Sequence, residues 1–343
     1  MKLHSFDGKA EDLVRHLQMY NTADPDADEK DMKEERKEKY LDLVNNYYNL
    51  TTDLLHLVWG PHYSMGIVFP VENGKWQSYR ACQQMYQCYL ALSLGANENM
   101  TLGDFGCGTG GPTRCIAQFS GARIKAVNIN KKHLAQMKKW NEEFHIDHKI
   151  ELVCSDYHDT PFENGSLDGV YMCESLAHSP DYKKLCQEVF RVLKPGARFT
   201  GFNWELTENY DQSNPEHRRI RHLIEYGVGV CGLVKMSTLT EALEDAGFEI
   251  LAQRDHNDFA VGIGGKPWWY LFEERSASLR VLFASLPRLV SSGIRLLEKL
   301  SRVPRGTARA YDDLMVALGT GMVDGAKERI FTPMHYWLAR KPV

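Results

Sequence analysis

The chain has 343 residues, 43% of them hydrophobic, enough for a sizeable core in one large domain or one domain with an appendage. Its 41 basic and 45 acidic residues nearly balance, so no nucleic-acid partner is expected. The eight cysteines are scattered, with no C-x-x-C pair and no tight Cys/His cluster; neither a metal site nor a disulfide framework is expected, and a reducing, cytoplasmic setting is.

The N-terminal MKLHSFDGKAEDLVRHLQ lacks the apolar run of a signal peptide, and no segment approaches the roughly 20 apolar residues that span a bilayer. Residues 1–20 read as a short helix. The mixed charges that follow read as a solvated linker or exposed helix, which makes residues 1–39 a polar extension. YLDLVNNYYNLTTDLLHLVWG is apolar at helical spacing. From Met100 the pattern becomes strand, turn, helix. LGDFGCG is a buried strand entering a glycine turn, and GPTRCIAQFSG a helix ended by Gly121. RIKAVNIN, IELVCSDY, LDGVYMCES and ARFTGFNWE are predicted strands. KKHLAQMKKWNEEF is a helix between two of them, and DYKKLCQEVFRVLKPG a helix closed by Pro195-Gly196. STLTEALEDAGFEILAQRDH adds a helix and a strand, and FTPMHYWLARKP a closing strand. Such alternation implies an α/β fold with a mostly parallel, doubly wound sheet and helices on both faces.

The first βα turn of such a sheet is where a nucleotide-like ligand sits. Gly106, Gly108, Gly110 and Gly111 let the backbone turn sharply there. A dinucleotide site would favour G-x-G-x-x-G. Here Asp104 precedes the glycines and Pro112 follows them. An acid in that place repels a diphosphate and suits a cation; S-adenosylmethionine carries a sulfonium and an ammonium. Asp156, after the third strand, is placed to accept from an adenine amino group, with Tyr157 beside it. The cofactor set read from the turn and strand ends is therefore Asp104, Gly106, Cys107, Gly108, Gly110, Asp156 and Tyr157. Cys107 is expected to fit the turn and not to act as a nucleophile.

Several motifs resemble the sterol methyltransferase family. YYNLTTD (Tyr47–Asp53), DFGCGTGGPTRCIAQFSGA, VNIN, YDQSNPEHRRIRHLIEYG and the tail from Arg302, with IFTPM and ARKP, are each similar to a family segment. The likeness runs from about Tyr40 to the end. It implies a Rossmann-like class I methyltransferase domain over residues 40–256 and a sterol methyltransferase region over 257–343. It also implies a neutral Asn128 for the ribose hydroxyls, where many methyltransferases carry an acid.

Family members move the methyl of S-adenosylmethionine to a sterol carbon, usually by attack of the carbon-24 alkene. Where the family reads roughly Y-E-Y-G-W-G, this chain has Leu55-His56-Leu57-Val58-Trp59-Gly60; its E-x-G-D-G becomes Glu225-Tyr226-Gly227-Val228-Gly229. Groups suited to a carbocation are thus replaced. The preferred reading is methylation of carbon 4 of a 3-keto sterol through an enolate, as in a nematode branch of the family, with carbon 24 the alternative. A catalytically silent sterol-binding protein is a further alternative, and a methyltransferase for a quinone, tocopherol or phospho-base would leave the tail unexplained. His178 and Glu174 are the catalytic candidates, matching the family's E-A-x-x-H-A-P; an imidazole suits proton abstraction near neutral pH. His56 and His62 are weaker candidates. Trp59 and Tyr63 are assigned to the sterol, ahead of Phe69, Trp268 and Trp269. Residues 276–302 are amphipathic and basic, with a break expected at Pro287; they are read first as a cover over the sterol and second as a peripheral membrane contact, at the endoplasmic reticulum. A homo-oligomer stays open.

Overall fold

The structure is a computed structural model that describes residues 19–20, 30–62, 64–66, 77–269, 286–300, 308, 311–312 and 320–343. The expected helix over residues 1–18 and the stretch 276–285 lie outside the described residues, as do Tyr63, Phe69 and the side chain of Trp59.

The elements follow as α1 (Lys30–Glu38), α2 (Tyr40–Trp59), α3 (Tyr79–Leu94), β1 (Thr101–Phe105), α4 (Gly111–Ser120), β2 (Arg123–Asn128), α5 (Lys131–Glu143), β3 (Ile150–Cys154), β4 (Leu167–Cys173), α6 (Tyr182–Val192) and β5 (Leu193–Leu206). Then come α7 (Pro215–Val228), α8 (Met236–Asp245), β6 (Glu249–Asp255), α9 (His256–Gly262), α10 (Leu286–Lys299), α11 (Met322–Lys327) and β7 (Phe331–Arg340). The seven strands form one sheet in the order β3-β2-β1-β4-β5-β7-β6. β1 pairs in parallel with both β2 and β4, so strand order reverses beside β1, as the glycine turn requires. β6 and β7 pair antiparallel.

Contacts divide the chain into two compact units whose bounds interleave. One comprises residues 59–208, 234–268 and 332–343 and holds the sheet; the other comprises 1–58, 209–233 and 269–331. This partition does not follow the succession 1–39, 40–256, 257–343. In the sheet unit, Phe105, Val170, Leu185, Val189, Phe199 and Trp337 belong to one buried apolar cluster. Burial on this scale supplies most of the driving force for folding. At Gly201 a Cβ would lie 2.3 Å from Cη2 of Trp337, so glycine leaves the room that indole occupies.

Two local expectations change. α6 ends at Val192, and Lys194-Pro195-Gly196 already belong to β5. Proline is compatible with the first residues of a strand, where no ladder N–H is needed. Pro287 is the second residue of α10, and the stretch before it, across which the break was expected, lies outside the described residues. In the other unit the charged extension includes α1, and Arg36 is buried, not solvated. Its guanidinium lies 4.7 Å above the Tyr20 ring, donates to the carbonyls of Met19 and Cys231 at 3.2 and 3.3 Å, and stands 4.0 Å from Glu225.

Candidate cofactor and catalytic site

At the end of β1 the chain turns on Gly106, whose N–H and that of Cys107 both donate to the Val127 carbonyl at 2.9 and 3.0 Å. Gly106 has φ +87°, and a Cβ would fall 2.3 Å from Cβ of Ser175, so backbone and space both demand glycine. Gly108 and Gly110 also have positive φ, and Gly110 starts α4 without a side-chain cap. Cys107 is buried, which pushes its thiol well above the usual range, with the Asp104 charge adding to the effect. Such a thiol is a poor nucleophile.

Asp104 lies beneath the turn, 1% exposed. Its Oδ2 accepts from the hydroxyls of Thr113 at 2.6 Å and Tyr171 at 2.9 Å, which ties α4 and β4 to β1. Burial raises its carboxyl to about 6 against the pull of both hydroxyls. These two described contacts are internal to the fold.

Asn128 ends β2. Its amide donates to the Gly108 carbonyl at 3.2 Å, and its carbonyl accepts from the Asn130 N–H at 3.0 Å. A carboxylate could do only the second. The neutral amide thus stitches the β2 turn to the glycine turn.

Asp156 follows β3. Its Oδ1 accepts from the His158 N–H at 2.9 Å and meets His158 Nδ1 at 2.8 Å. His158 Nε2 meets the Ser179 hydroxyl at 2.7 Å. Tyr157 is buried, and its hydroxyl donates to the Ser175 carbonyl at 3.3 Å.

Beyond β4, Glu174 takes φ +60°, a left-handed conformation that costs a non-glycine residue about 1–3 kcal/mol. Its carboxylate accepts from the Met65 N–H and from Nε1 of Trp204 at 2.9 Å. Burial raises Glu174 to about 7, with those two donors pulling it down. His178 is buried in the short 3₁₀ turn Leu176–His178. The segment before Met65 is held by α3, where Gln83 donates to the Ser64 carbonyl at 2.7 Å and Gln87 to the Ser64 hydroxyl at 3.1 Å. His62 is buried beside Gln87, and desolvation, with Arg80 nearby, lowers it to about 4. His62 is therefore neutral near pH 7 and packs its backbone on Gly111. His56 lies on α2 in the other unit. Trp268 is a core residue, 1% exposed.

Two family profiles match: "Methyltransferase domain" over residues 103–200 and "Sterol methyltransferase C-terminal" over 283–343. The chain is 34% identical to cycloartenol-C-24-methyltransferase of Arabidopsis thaliana over 90% of each protein. It is 32% identical to sterol 24-C-methyltransferase of Kluyveromyces lactis, over 91% of this chain and 84% of that one. This chain belongs to the sterol methyltransferase family. It is an S-adenosylmethionine-dependent C-methyltransferase of the class I fold. Among solved structures, the [4+2]-cyclase SpnF superposes with a TM-score of 0.64 at 20% identity, over 88% of this chain and 95% of that one. Geranyl diphosphate C-methyltransferase from Streptomyces coelicolor, in complex with S-adenosylhomocysteine, gives 0.61 at 19% identity, over 89% and 98%. These likenesses show the shared fold.

In this sterol methyltransferase the sequence-predicted residues Gly106, Asn128, Asp156 and Glu174 all come at the carboxyl ends of β1 to β4. The residues present suit the cofactor: a glycine backbone without side chains, an acceptor after β3, and acids at Asp104 and Glu174 for a cation. Sequence reasoning missed His158, Ser179, Asn203, Glu205 and His335. They come from four separate segments, Asn203 and Glu205 sharing β5, and only the fold shows that they join.

Proposed function

We propose that the enzyme transfers the methyl of S-adenosylmethionine to a carbon of a sterol. What carries the reading is the coincidence of the glycine turn, Asn128 and Asp156 at the strand ends with family likeness over 90% of the chain. When bound, the cofactor supplies an electrophilic methyl and leaves as a neutral thioether. Asp156 accepts from the adenine amino group, Asn128 faces the ribose, and the turn from Gly106 to Gly110 presents backbone to the methionine end. Asp104 and Glu174 place negative charge near the cationic donor. His178 accepts the proton that carbon methylation must release, with Glu174, near neutral in its titration, as the alternative acceptor.

The relatives' names make the side-chain alkene at carbon 24 the first acceptor to assign. Its attack on the methyl leaves a carbocation, and loss of a proton restores an alkene. A second reading, carbon 4 of a 3-keto sterol, rests on a specific observation. Val228, in the place of the family's aspartate, is 5% exposed, and Glu225 is committed to Arg221 and to the Leu233 N–H. Neither is a spare carboxylate for a side-chain cation. In that case a base first removes the carbon-4 proton and the enolate takes the methyl. Incubation with labelled S-adenosylmethionine and each sterol in turn, followed by mass spectrometry, tests both. Label in the side chain selects the first reading, label in the ring the second, and no label with either refutes the function.

A peripheral membrane contact fits the same substrate. On α10, Leu289, Leu296 and the following Leu300 are 67%, 57% and 60% exposed, with Arg295 and Lys299 among them. Among the described residues no helix is long and apolar enough to cross a membrane.

A further inference from the structure

The Leu176–Ser179 turn that carries His178 is anchored by polar groups from three other parts of the sheet unit. Ser179 meets Nε2 of His158 at 2.7 Å, and Nδ1 of His158 meets Asp156 at 2.8 Å. Ala177 donates its N–H to Oδ1 of Asn203 at 2.8 Å. Asn203 in turn donates to Glu205 at 2.8 Å, and Glu205 pairs with Nδ1 of His335, both side chains wholly buried. Nε2 of His335 lies 2.9 Å from Gln253. A buried carboxyl–imidazole pair with an adjoining amide adds little net stability over apolar packing, but it fixes geometry.

Donor and acceptor roles along the first arm follow from valence. An ionised Asp156 only accepts, so His158 carries its proton on Nδ1. The Ser179 oxygen already accepts the Asp181 N–H at 3.2 Å and gives its own hydrogen to Nε2. The loop bearing His158 is itself pinned, since Thr160 donates both N–H and hydroxyl to Glu188 on α6.

We propose that His158 is a positioning residue that couples the adenine-side Asp156 to the His178 turn through Ser179, with the Asn203–Glu205–His335 chain holding the same turn through Ala177. This rests on the proposed roles of Asp156 and His178. Catalysis is sensitive to such placement, because a displacement of about 1 Å costs on the order of a hundredfold in rate.

The test uses the full-length enzyme with labelled S-adenosylmethionine and the sterol it accepts. His158→Asn keeps a donor for Asp156 and gives up the reach to Ser179; Ser179→Ala cuts the same link from the other end. Each is expected to lower kcat about tenfold, the worth of one good hydrogen bond, while cofactor Kd stays within about twofold. The double variant should lose no more than either single one. His158→Gln, which reaches Ser179 but abandons Asp156, should weaken cofactor binding as well. Well-folded variants with wild-type kcat, or losses that simply multiply, overturn the coupling. Should the variants fail to fold, nitrogen NMR of histidine-labelled wild type decides. His158 is expected as the Nδ1–H tautomer, with shifts that move when S-adenosylhomocysteine is added; an Nε2–H ring that ignores the nucleoside overturns the proposal. Absence of methyl transfer to any sterol by the wild type would instead sink the proposed function, and the NMR result would stand apart from it.

Discussion

Gly111 offers a sharp perturbation, because propensity and packing pull in opposite directions. It opens α4, where alanine alone would be favoured by about 1 kcal/mol. A Cβ there would stand 2.4 Å from Cα of His62 and 2.5 Å from the Pro61 carbonyl oxygen. Carbon contacts are comfortable near about 3.5 Å, so the turn Gly60–His62 must retreat by about 1 Å. Both obstacles are backbone atoms, and no side-chain rotation relieves them. Overpacking costs roughly 1–3 kcal/mol, which leaves Gly111→Ala a net loss of about 0–2 kcal/mol after the helix gain. Retreat of the turn also disturbs the Met65 N–H that Glu174 accepts. Urea unfolding and steady-state kinetics should therefore show lower stability and a kcat reduced about tenfold. Gly262→Ala is the control: a Cβ there meets nothing within 4 Å, and the backbone is not left-handed. Its stability should be unchanged or slightly raised. If Gly111→Ala proves as stable and as active as Gly262→Ala, the close approach of His62 to the glycine turn is wrong.

Three further outcomes are expected. Glu174 titrates near 7 in the folded chain against 4.5 for an ordinary glutamate, so the folded state holds a proton that the unfolded chain has lost across that window. Its stabilising contribution is full below pH 4.5, declines as pH rises to about 7 and levels off above, by about 3 kcal/mol at most; Glu174→Gln should flatten that decline in urea titrations at several pH values, and an unchanged slope would refute the assignment. Asn128→Asp sets a carboxylate against the Gly108 carbonyl and should weaken S-adenosylmethionine binding by calorimetry about tenfold, with little change in melting temperature. Leu296→Glu on α10 should abolish sedimentation with anionic phospholipid vesicles while leaving activity on detergent-dispersed sterol intact; unchanged sedimentation would remove α10 from the membrane reading.

The fold was largely legible because each strand is a short apolar run bounded by turn residues, and because Gly121 terminates α4 where a left-handed cap is required. The end of α6 was not, since Leu193 continues the apolar rhythm and Pro195-Gly196 imitates a helix stop while lying inside β5. Gly106 and Asp156 could be placed from spacing alone, as both follow directly from strand ends. His158 and Ser179 read singly as turn residues in HDTP and HSPD, and nothing in either tetrapeptide points to the other. Glu205 and His335 sit in apolar strands and look out of place until the buried pair is seen. Arg36 hid for the opposite reason: a run of like neighbours made it look solvated, although its ring and carbonyl partners bury it.

The interleaving of the two units limits how such an enzyme can be rebuilt. Residues 209–233 leave the sheet unit and return to it between β5 and α8, and the chain comes back once more for β7. Neither unit can be cut out as a single fragment, because each is assembled from three separate stretches of chain. Chimeras with a relative must exchange three segments at once, each with matched ends. Point substitution is thus a simpler route to altering this enzyme than trading whole modules.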